Sequence, residues 1–350
     1  MKPSIRIGNH TIGGEHPTYI IAELSANHNQ SFDRAVELVR LAKEAGADAV
    51  KLQTYTPDTM TLDCDTDIFK VSGGTVWDGK NLHALYGEAY TPWEWQPKLK
   101  AIADELEMDC FSSPFDSTAV DFLEEMAVPA YKVASFEVVD LPLLKRIGAT
   151  GKPVIMSTGM ATLAEIDEAM TTLKAAGSTQ IALLKCVSSY PAPPEEMNLR
   201  TIPNLSETFS CPVGLSDHSM VEAVPVSAVA LGASIVEKHM TIARADGGPD
   251  SAFSLEPDEF KAMVAAVRTS EKALGDVSYD ITKRQVNSLR FRRSIFVSND
   301  MKAGDVFSEK NTKVLRPADG LHPRYHTVVL GKKAARDIVK GTPLSWDLIG

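Results

Sequence analysis

Hydrophobic and polar residues are arranged along the first three quarters of the chain in two kinds of block. Short apolar runs such as YIIAELS (19–25) predict buried strands, and segments with apolar residues three and four positions apart, such as SFDRAVELVRLAKEAGA (31–47), predict amphipathic helices. Strand and helix follow each other eight times over roughly 260 residues, the size of one barrel domain. The pattern therefore predicts a closed (β/α)8 TIM barrel, of the α/β class, rather than an open doubly wound sheet.

Two parts of the chain depart from this alternation. Residues 56–90 form a Gly- and Asp-rich excursion, too long for an ordinary βα loop, and are predicted to be a lid or a substrate-contacting insert. Beyond Gly275, a polar connector (276–290) leads into residues 291–350, which have short β-like runs and frequent Gly and Pro. We therefore expect a barrel domain over 1–275, a linker, and a small β-rich second domain.

Composition and charge narrow the class of protein. The chain has 350 residues and is 44% hydrophobic, but no stretch approaches the roughly 18 apolar residues that span a bilayer, and no signal-peptide core opens the chain. A formal net charge of −10 argues against a nucleic-acid partner, because phosphate backbones bind basic surfaces. The four cysteines show no metal-finger spacing. These features predict a cytoplasmic protein with reduced thiols.

Two histidines follow successive predicted strands in GLSDHSMVEAVPVSAVALGASIVEKHMT (214–241). The segment reads as strand, helix and strand, so His218 and His239 are expected at the same mouth of a parallel sheet. Because side chains alternate along a strand, Ser216 shares a face with His218, and Glu237 shares one with His239. Two imidazoles beside a carboxylate predict a divalent metal site with open positions. The alternative is a pair of ordinary hydrogen-bonded core histidines.

Lysines occur inside three apolar strands, at Lys51, Lys132 and Lys185. A buried ammonium needs a partner, and lysines with hydroxyls around one point predict a bound phosphate or carboxylate. An anion beside a metal suits carbon–carbon bond formation by a phosphorylated enol, with Glu23 as acid or base. Alternatively, the lysines point outward to acidic residues on the helices, or Lys132 or Lys185 is the Schiff-base nucleophile of an aldolase, which leaves the histidines unused.

Eight motifs at the strand ends resemble, in order, those of the sialic acid synthase family of phosphoenolpyruvate-condensing barrels. The tail RPADGLHPRY…VLGKKAARDI resembles the antifreeze-like SAF domain that follows the barrel in that family. Within the family, IAELSANHNQ, TPWEW and GLHP are most similar to the branch of pseudaminic acid synthases. The motifs that carry the resemblance are IAELSANHNQ, KLQTY, FSSPFD, YKVAS, MSTGM, GLSDHS, EKHMT and GGPD.

The resemblance implies a reaction and a set of site residues. Phosphoenolpyruvate would condense with 2,4-diacetamido-2,4,6-trideoxy-L-altrose, an amino-sugar aldehyde, to give pseudaminic acid and phosphate. His218 and His239 would hold Mn, Mg or Co, and Glu23 would take part in catalysis. The residues implied to contact substrate are Lys51, Gln53, Ser113, Lys132, Ser135, Ser157, Ser188, Tyr190, Ser216, Asp250 and Arg316. Ser113 and Ser188 stand where sialic acid synthases tend to have threonine and asparagine.

The resemblance also implies an assembly and leaves alternatives. In relatives the SAF domain is exchanged across a homodimer, so Arg316 would reach the partner's sugar site; on the bare sequence it is a surface arginine. An N-acetylneuraminate or legionaminic acid synthase is the first alternative, and residues 56–90 are expected to decide between them. A wall against the deoxy position would come from Trp77, Phe69, Tyr86 or Trp93. A non-catalytic carbohydrate- or ice-binding protein, acting through the tail, is the alternative from another class.

Overall fold

The computed structural model describes residues 3–72 and 74–350, in two compact units, Met1–Gly275 and Asp276–Gly350. An antiparallel hairpin, β1 (Ser4–Ile7) and β2 (His10–Gly13), opens the first unit. Eight parallel strands then close into a barrel, which confirms the predicted fold. The barrel strands are β3 (Tyr19–Glu23), β4 (Ala49–Thr54), β5 (Asp109–Pro114), β6 (Tyr131–Val133), β7 (Val154–Ser157), β8 (Ile181–Cys186), β9 (Val213–Asp217) and β10 (Ile235–His239).

Helices separate the barrel strands. Ser31 caps the first of them by accepting a hydrogen bond from the Arg34 amide, as the sequence predicts. Asp116 and Thr162 cap the amino-terminal ends of two later helices in the same way. The helices of this unit are α1 (Phe32–Glu44), α2 (Pro57–Met60), α3 (Leu82–Ala89), α4 (Gln96–Glu105), α5 (Ser117–Glu125), α6 (Leu141–Gly148), α7 (Leu163–Ala176), α8 (Thr201–Phe209), α9 (Ala223–Ala230) and α10 (Pro257–Leu274).

Pairing between the first and last barrel strands brings the two ends of the domain together. All five residues of β3 are buried, because one face lies in the barrel and the other under the helices. The parallel register of β10 on β3 places His239 opposite Glu23, and the register of β3 on β4 places Glu23 opposite Lys51. Barrel closure therefore puts an acid, a base and a histidine in neighbouring positions at the carboxyl ends of the strands, where barrel enzymes carry their chemistry.

The excursion at 56–90 is folded rather than open. It holds α2 and α3, with Asn81 capping α3, and an antiparallel bridge joins Lys70 to Asn81. Gly73 lies outside the described residues. The Trp77 indole Nε1 donates to the Pro249 carbonyl at 2.8 Å, so the excursion is tied to the loop after β10. The predicted insert thus returns to the mouth of the barrel.

The second unit is small and rich in short extended segments. It contains α11 (Lys283–Val286), an antiparallel pair formed by β11 (Ser294–Val297) and β12 (Thr312–Leu315), and α12 (His326–Val329). Its own core includes Ile295, which is fully buried. The linker predicted at 276–290 falls inside this unit. Within residues 3–72 and 74–350, no helix is both long and apolar enough to cross a membrane.

Candidate active site

Two acidic and two basic side chains meet inside the carboxyl end of the barrel. Lys51 Nζ lies 2.5 Å from Glu23 Oε2 and 3.5 Å from Glu237 Oε1, and Lys132 Nζ also lies 3.5 Å from Glu237 Oε1. All four side chains are at most 5% exposed. Buried charges are tolerated when they are paired, and these four neutralise one another. The two lysines that the sequence expects to meet at an external anion therefore meet first at protein carboxylates.

The two carboxyls of this cluster have different pKa values. Burial raises the pKa of Glu23 to about 7, although the Lys51 ammonium opposes the shift. Burial alone would also raise the pKa of Glu237, but Lys132 and Lys51 outweigh it and lower that pKa. Glu237 is therefore the permanent counter-ion, whereas Glu23 can gain or lose a proton near neutral pH. Gln53 Nε2 donates to Glu23 Oε1 at 2.9 Å and holds this carboxyl in place.

Hydroxyls surround the two ammonium groups. Lys132 Nζ donates to Ser157 Oγ at 2.7 Å, and Lys51 Nζ lies 3.5 Å from Ser113 Oγ. Ser216 Oγ donates to Glu237 Oε1 at 3.3 Å. Five predicted substrate contacts thus lie around one shared carboxylate. Burial lowers the pKa of Lys132, although Glu237 opposes the shift; for Lys51, burial would lower the pKa, but Glu23 and Glu237 outweigh it and raise that pKa.

Ser135 and Ser188 place two further hydroxyls close to Gly159. The Gly159 amide donates to Ser135 Oγ at 3.1 Å. A Cβ on Gly159 would lie 2.4 Å from Ser188 Oγ and 2.8 Å from Ser135 Oγ, so only glycine fits between them. Both serines lie just beyond the strands to which the sequence assigned them, because β6 ends at Val133 and β8 at Cys186. They are nevertheless at the same mouth.

The two predicted metal ligands face each other, with ring centroids 5.3 Å apart. His218 Nδ1 donates to the Val187 carbonyl at 2.8 Å, so Nε2 is the nitrogen left to bind a metal. Burial alone would lower the pKa of His218, but its contacts with Cys186 and the Val187 carbonyl outweigh burial and raise that pKa. Burial and the neighbouring His218 lower the pKa of His239 well below its usual value, so this ring is neutral. His239 is thus in the state in which imidazole binds metals, whereas His218 must lose its Nε2 proton when a metal binds.

The histidine pair alone does not make a complete set of metal ligands. Among the described residues, no three His, Cys, Asp or Glu side chains lie close enough together to hold a cation without further ligands. Glu237 Oε2, two residues before His239, is buried and accepts no hydrogen bond from any described residue. A two-imidazole set with water or substrate in the remaining positions therefore fits, which is the open arrangement expected of a catalytic rather than a structural metal.

Cys186 lies behind the histidine pair. Its Sγ is 3.9 Å from His218 Nδ1. Burial would raise the pKa of this thiol, but the hydrogen bond with His218 outweighs burial and lowers it to about 7. The other buried thiols, Cys110 and Cys211, have no such neighbour, and burial raises their pKa values to about 12 and about 11.

Aromatic rings cover the histidines on the side of the excursion. The Tyr190 ring lies 4.3 Å from His218 and 4.9 Å from Phe253, and the Trp77 ring lies tilted 5.6 Å from Tyr190, measured between centroids. Of the four aromatic residues considered for an apolar wall, Trp77 is the one that joins this group. Trp93 packs on Phe122 of α5 instead.

The structure places the other predicted residues outside the two hydroxyl and lysine clusters. Asp250 is half-buried beside the first loop, where its Oδ2 accepts from the Ala26 amide at 3.4 Å, and burial raises its pKa. Arg316 lies in the second unit, exposed, after β12. Lys185 does not join the cluster of Lys51 and Lys132: it is half-buried and its ammonium donates to the Cys186 carbonyl at 3.1 Å, which corrects the expectation of three converging lysines.

Three residues have roles in the site that the sequence did not predict, although Glu237 was expected beside the histidines. Glu237 is the shared counter-ion, and Ser25 Oγ lies 3.2 Å from His239 Nδ1. Glu137 follows β6, its buried Oε2 has no hydrogen-bond partner among the described residues, and burial raises its pKa to about 7. The available signal for Glu237 was a carboxylate inside an apolar strand, on the face of His239. Glu137 and Ser25 lie in turns, where no periodicity marks them.

Comparisons with known proteins bear on the family to which this chain belongs. A model described as the NeuB family matches residues 38–279, and one described as the SAF domain matches residues 292–350. The chain is 45% identical over 340 residues to the pseudaminic acid synthase of Campylobacter jejuni, which covers 97% of this chain and 98% of that protein. It is also 45% identical over 332 residues to the pseudaminic acid synthase of Helicobacter pylori, covering 95% and 97%.

A solved structure shares the same fold. The N-acetylneuraminic acid synthetase of Leptospira borgpetersenii, crystallised in complex with citrate, superposes with a TM-score of 0.74 at 31% identity, over 83% of this chain and 97% of that one. The barrel, the tail domain and the order of motifs at the strand ends thus lead to one assignment. The chain belongs to the NeuB family, the sialic acid synthase family that its motifs resemble.

Proposed function

We propose that this protein condenses phosphoenolpyruvate with 2,4-diacetamido-2,4,6-trideoxy-L-altrose to give pseudaminic acid and phosphate. The observation that carries the proposal is the convergence of Lys51, Lys132 and Glu23 at the barrel mouth that also holds the histidine pair. The chain that builds this site is 45% identical to two pseudaminic acid synthases along nearly its whole length. Because phosphoenolpyruvate is a cytoplasmic metabolite, the proposal also supports a cytoplasmic location.

Phosphoenolpyruvate carries two anionic groups, and the site offers two groups of donors. Lys51 and Lys132 supply the charge, with Ser113, Ser157 and Ser216 beside them. Ser135 and Ser188, whose hydroxyls lie close to Gly159, supply donors without a charge. In the free protein Glu237 takes the place of the ligand as counter-ion. We expect binding of the anion to weaken the ion pairs of Glu237 with both lysines.

The reaction forms one carbon–carbon bond and one carbon–oxygen bond, the latter between water and C2, and breaks the carbon–oxygen bond between C2 and the phosphate. C3 of the enol attacks the aldehyde carbon, whose oxygen takes a proton, and a water adds to C2 with loss of its proton. Collapse of the resulting intermediate releases phosphate and leaves the 2-keto acid. Glu23 is suited to the proton transfers, because its pKa of about 7 allows it to give a proton and take one back.

His218 and His239 are the residues that would hold a divalent metal, Mn, Mg or Co, in this reaction. When bound, such an ion polarises an aldehyde oxygen and orients water. The chain's own contribution is to occupy Nδ1 of His218 with the Val187 carbonyl, which leaves Nε2 for the metal, and to keep His239 neutral through burial. Ser25 and the Tyr190 ring pack against these imidazoles and fix their orientation.

Alanine at Lys132 should raise the KM for phosphoenolpyruvate by about 10–100-fold, the cost of losing charge-assisted hydrogen bonds worth roughly 1.5–3 kcal/mol. The KM for the sugar should change much less, because Lys132 faces Ser157 and Glu237 and not the aromatic side of the site. Initial-rate kinetics with each substrate varied in turn provide the measurement. Lys185→Ala is the matched control, since this strand lysine lies outside the cluster. Equal effects on both substrates would remove Lys132 from the anion site.

Alanine at Trp77 should reduce the preference for a 6-deoxy sugar over a 6-hydroxy sugar by about tenfold, because an apolar contact with one methyl group contributes roughly 1–3 kcal/mol to discrimination. Trp77 is the residue of the excursion that packs against Tyr190 and Phe253, the rings beside the histidines. The measurement is the ratio of kcat/KM values for the two aldehydes. Phe69→Ala, in the same excursion, should leave that ratio unchanged. An unchanged ratio in Trp77→Ala would place the deoxy position elsewhere.

We also propose a homodimer in which the second unit of each chain serves the partner's barrel. Val277 and Tyr279, at the start of the second unit, are 94% and 98% exposed, so both side chains are accessible to a partner. Residues 276–350 hold 14 lysines and arginines against 8 aspartates and glutamates, a charge of +6 in a chain of net −10, so that residues 1–275 carry −16. Opposite charges on the two units favour their association.

Arg316→Ala should raise the KM for the sugar by about 10–100-fold, the cost of a lost hydrogen bond from a charged donor. The KM for phosphoenolpyruvate should stay constant, because the barrel supplies the lysines. Truncation after Gly275 should reproduce this loss. Arg324→Ala, another exposed arginine of the same unit, is the control. A fully active isolated barrel would contradict the exchanged arrangement.

The proposed function is tested by phosphate release from phosphoenolpyruvate with Mn²⁺ and a panel of candidate sugars, with and without chelator. Release only with the diacetamido-trideoxy altrose, and only with metal, is the expected result. Release with N-acetylmannosamine or a legionaminic acid precursor would assign a different substrate within the family. Chelator-resistant turnover that borohydride traps on Lys132 would replace the proposal by the Schiff-base mechanism.

A further inference from the structure

A second buried ion pair lies one residue before each of the two histidines. Lys238 Nζ is 2.8 Å from Asp217 Oδ2, and the side chains are 2% and 0% exposed. Asp217 is the last residue of β9 and precedes His218; Lys238 precedes His239, the last residue of β10. Neither charge belongs to the cluster that we assign to substrate.

The strand register shows that this pair faces away from the barrel interior. Asp217 and Lys238 are direct partners in the parallel ladder of β9 and β10. Side chains alternate along a strand, and Ser216 and Glu237 point inward, where their side chains meet at 3.3 Å. The next residues, Asp217 and Lys238, therefore point to the helix layer. The pair joins β9 to β10 on the outer face of the barrel, at the last paired residues before the histidines.

The same two side chains also bracket His218 along the chain. Asp217 Oδ1 accepts a hydrogen bond from the Ser219 amide at 2.8 Å, and Lys238 Nζ donates to the Ser219 carbonyl. The residue before His218 and the residue after it are thus both held by one ion pair. His218 lies just beyond the strand end, where the regular ladder no longer fixes its backbone.

Stability alone is a weak reason for such a pair. The desolvation of two buried charges offsets most of their attraction, and hydrophobic residues of similar size often do as well. What a buried ion pair does supply is a fixed register between the elements it joins. Here the joined elements are the two strand ends whose separation decides how far apart the imidazoles stand.

We propose that Asp217 and Lys238 form a positioning clamp that fixes His218 relative to His239 and thereby sets the affinity for the divalent cation. The inference rests on the proposed function, which assigns the cation to this histidine pair. The clamp residues touch neither cation nor substrate and act through the backbone of residues 217–219. Partners of this kind, one step behind the metal ligands, typically contribute 10–100-fold to metal affinity.

The test is Mn²⁺ binding to the full-length, substrate-free protein, measured by the loss of the free Mn²⁺ electron paramagnetic resonance signal. In the double variant Asp217→Asn/Lys238→Met both charges are removed and similar volumes are kept, so no unpaired charge is left behind. We expect the Mn²⁺ Kd to rise about 10–100-fold, while the thermal midpoint in chelator stays within a few degrees of the wild type. The control is Asp48→Asn/Arg268→Met, a pair at 3.1 Å whose Asp48 directly precedes β4, at the opposite end of the barrel.

A second variant keeps the test decisive if the double variant does not fold. Asp217→Glu retains both charges and moves the carboxylate by one methylene, so we expect weaker Mn²⁺ binding with a retained fold. If the clamp variants bound Mn²⁺ with wild-type affinity, the clamp proposal would be wrong. The metal assignment would still hold, provided that His218→Ala and His239→Ala abolish binding. Mn²⁺ binding that survives both histidine substitutions would overturn the clamp together with the metal assignment.

Discussion

Alanine in place of His218 or His239 should abolish Mn²⁺ binding and reduce turnover to background while the barrel stays folded. With two imidazoles as the protein ligands, loss of either leaves one, which is too few to retain a divalent cation at micromolar concentration. The fold should survive because neither ring forms part of an ion pair. Metal content after gel filtration, phosphate release and circular dichroism provide the three readouts.

The control for this prediction is His10→Ala. His10 Nδ1 lies 2.8 Å from Asp109 Oδ2, at the amino ends of the strands, so it tests the loss of a hydrogen-bonded histidine far from the site. We expect full metal content and turnover from this variant. If both His218→Ala and His239→Ala kept metal-dependent activity, the metal would have to bind elsewhere, and the core-histidine alternative would be right.

Glutamine in place of Glu237 should lower the stability of the ligand-free protein by about 3–5 kcal/mol, the usual cost of breaking a buried ion pair. Glu237 Oε1 is shared by Lys51 and Lys132, so the substitution leaves two buried ammonium groups with Glu23 as their remaining carboxylate. The thermal midpoint should fall by roughly 10 °C. Differential scanning calorimetry in phosphate-free buffer provides the measurement.

Inorganic phosphate gives this prediction a second readout. If the two lysines form the anion site, phosphate should replace the missing carboxylate and raise the midpoint of Glu237→Gln more than that of the wild type. Glu124→Gln is the control: Glu124 pairs with Lys152 at 2.7 Å, but its side chain is 36% exposed, so we expect a loss below about 1 kcal/mol and no phosphate effect. If phosphate raised the thermal midpoints of Glu237→Gln and wild type equally, the two lysines would not be the anion site.

Sequence patterns were sufficient for the barrel and for much of the site. Apolar runs located the eight strands because strands buried on both faces have few polar residues, and for the same reason Lys51, Lys132 and the histidine pair stood out. Barrel closure then explains what the patterns missed. Glu237 acquires its role from β10 pairing with β3 and from the stagger of the strands, which no local pattern contains.

Side chains that follow the strand ends were also beyond what sequence patterns could predict. Ser135, Ser188 and Glu137 lie beyond the ends of β6 and β8, where side-chain direction depends on the path of the turn and not on a period of two. Lys185 shows the opposite error: its strand was predicted correctly, but it lies two strands from β6, and its ammonium bonds to the carbonyl of the next residue. Counting lysines in strands thus overestimated the positive charge at the anion site.

The pairing of the last barrel strand with the first has a consequence for how the protein is made. Ser25 and His239, which touch in the finished site, are 214 residues apart in the chain. A ribosome must therefore release almost the whole barrel before the histidine pair, Glu23 and Glu237 can meet. Incomplete chains cannot assemble the site, so no ligand of this site can assist the early steps of folding. Ligand binding instead becomes possible at the moment of closure, and from then on it favours the closed barrel over any partly unfolded form.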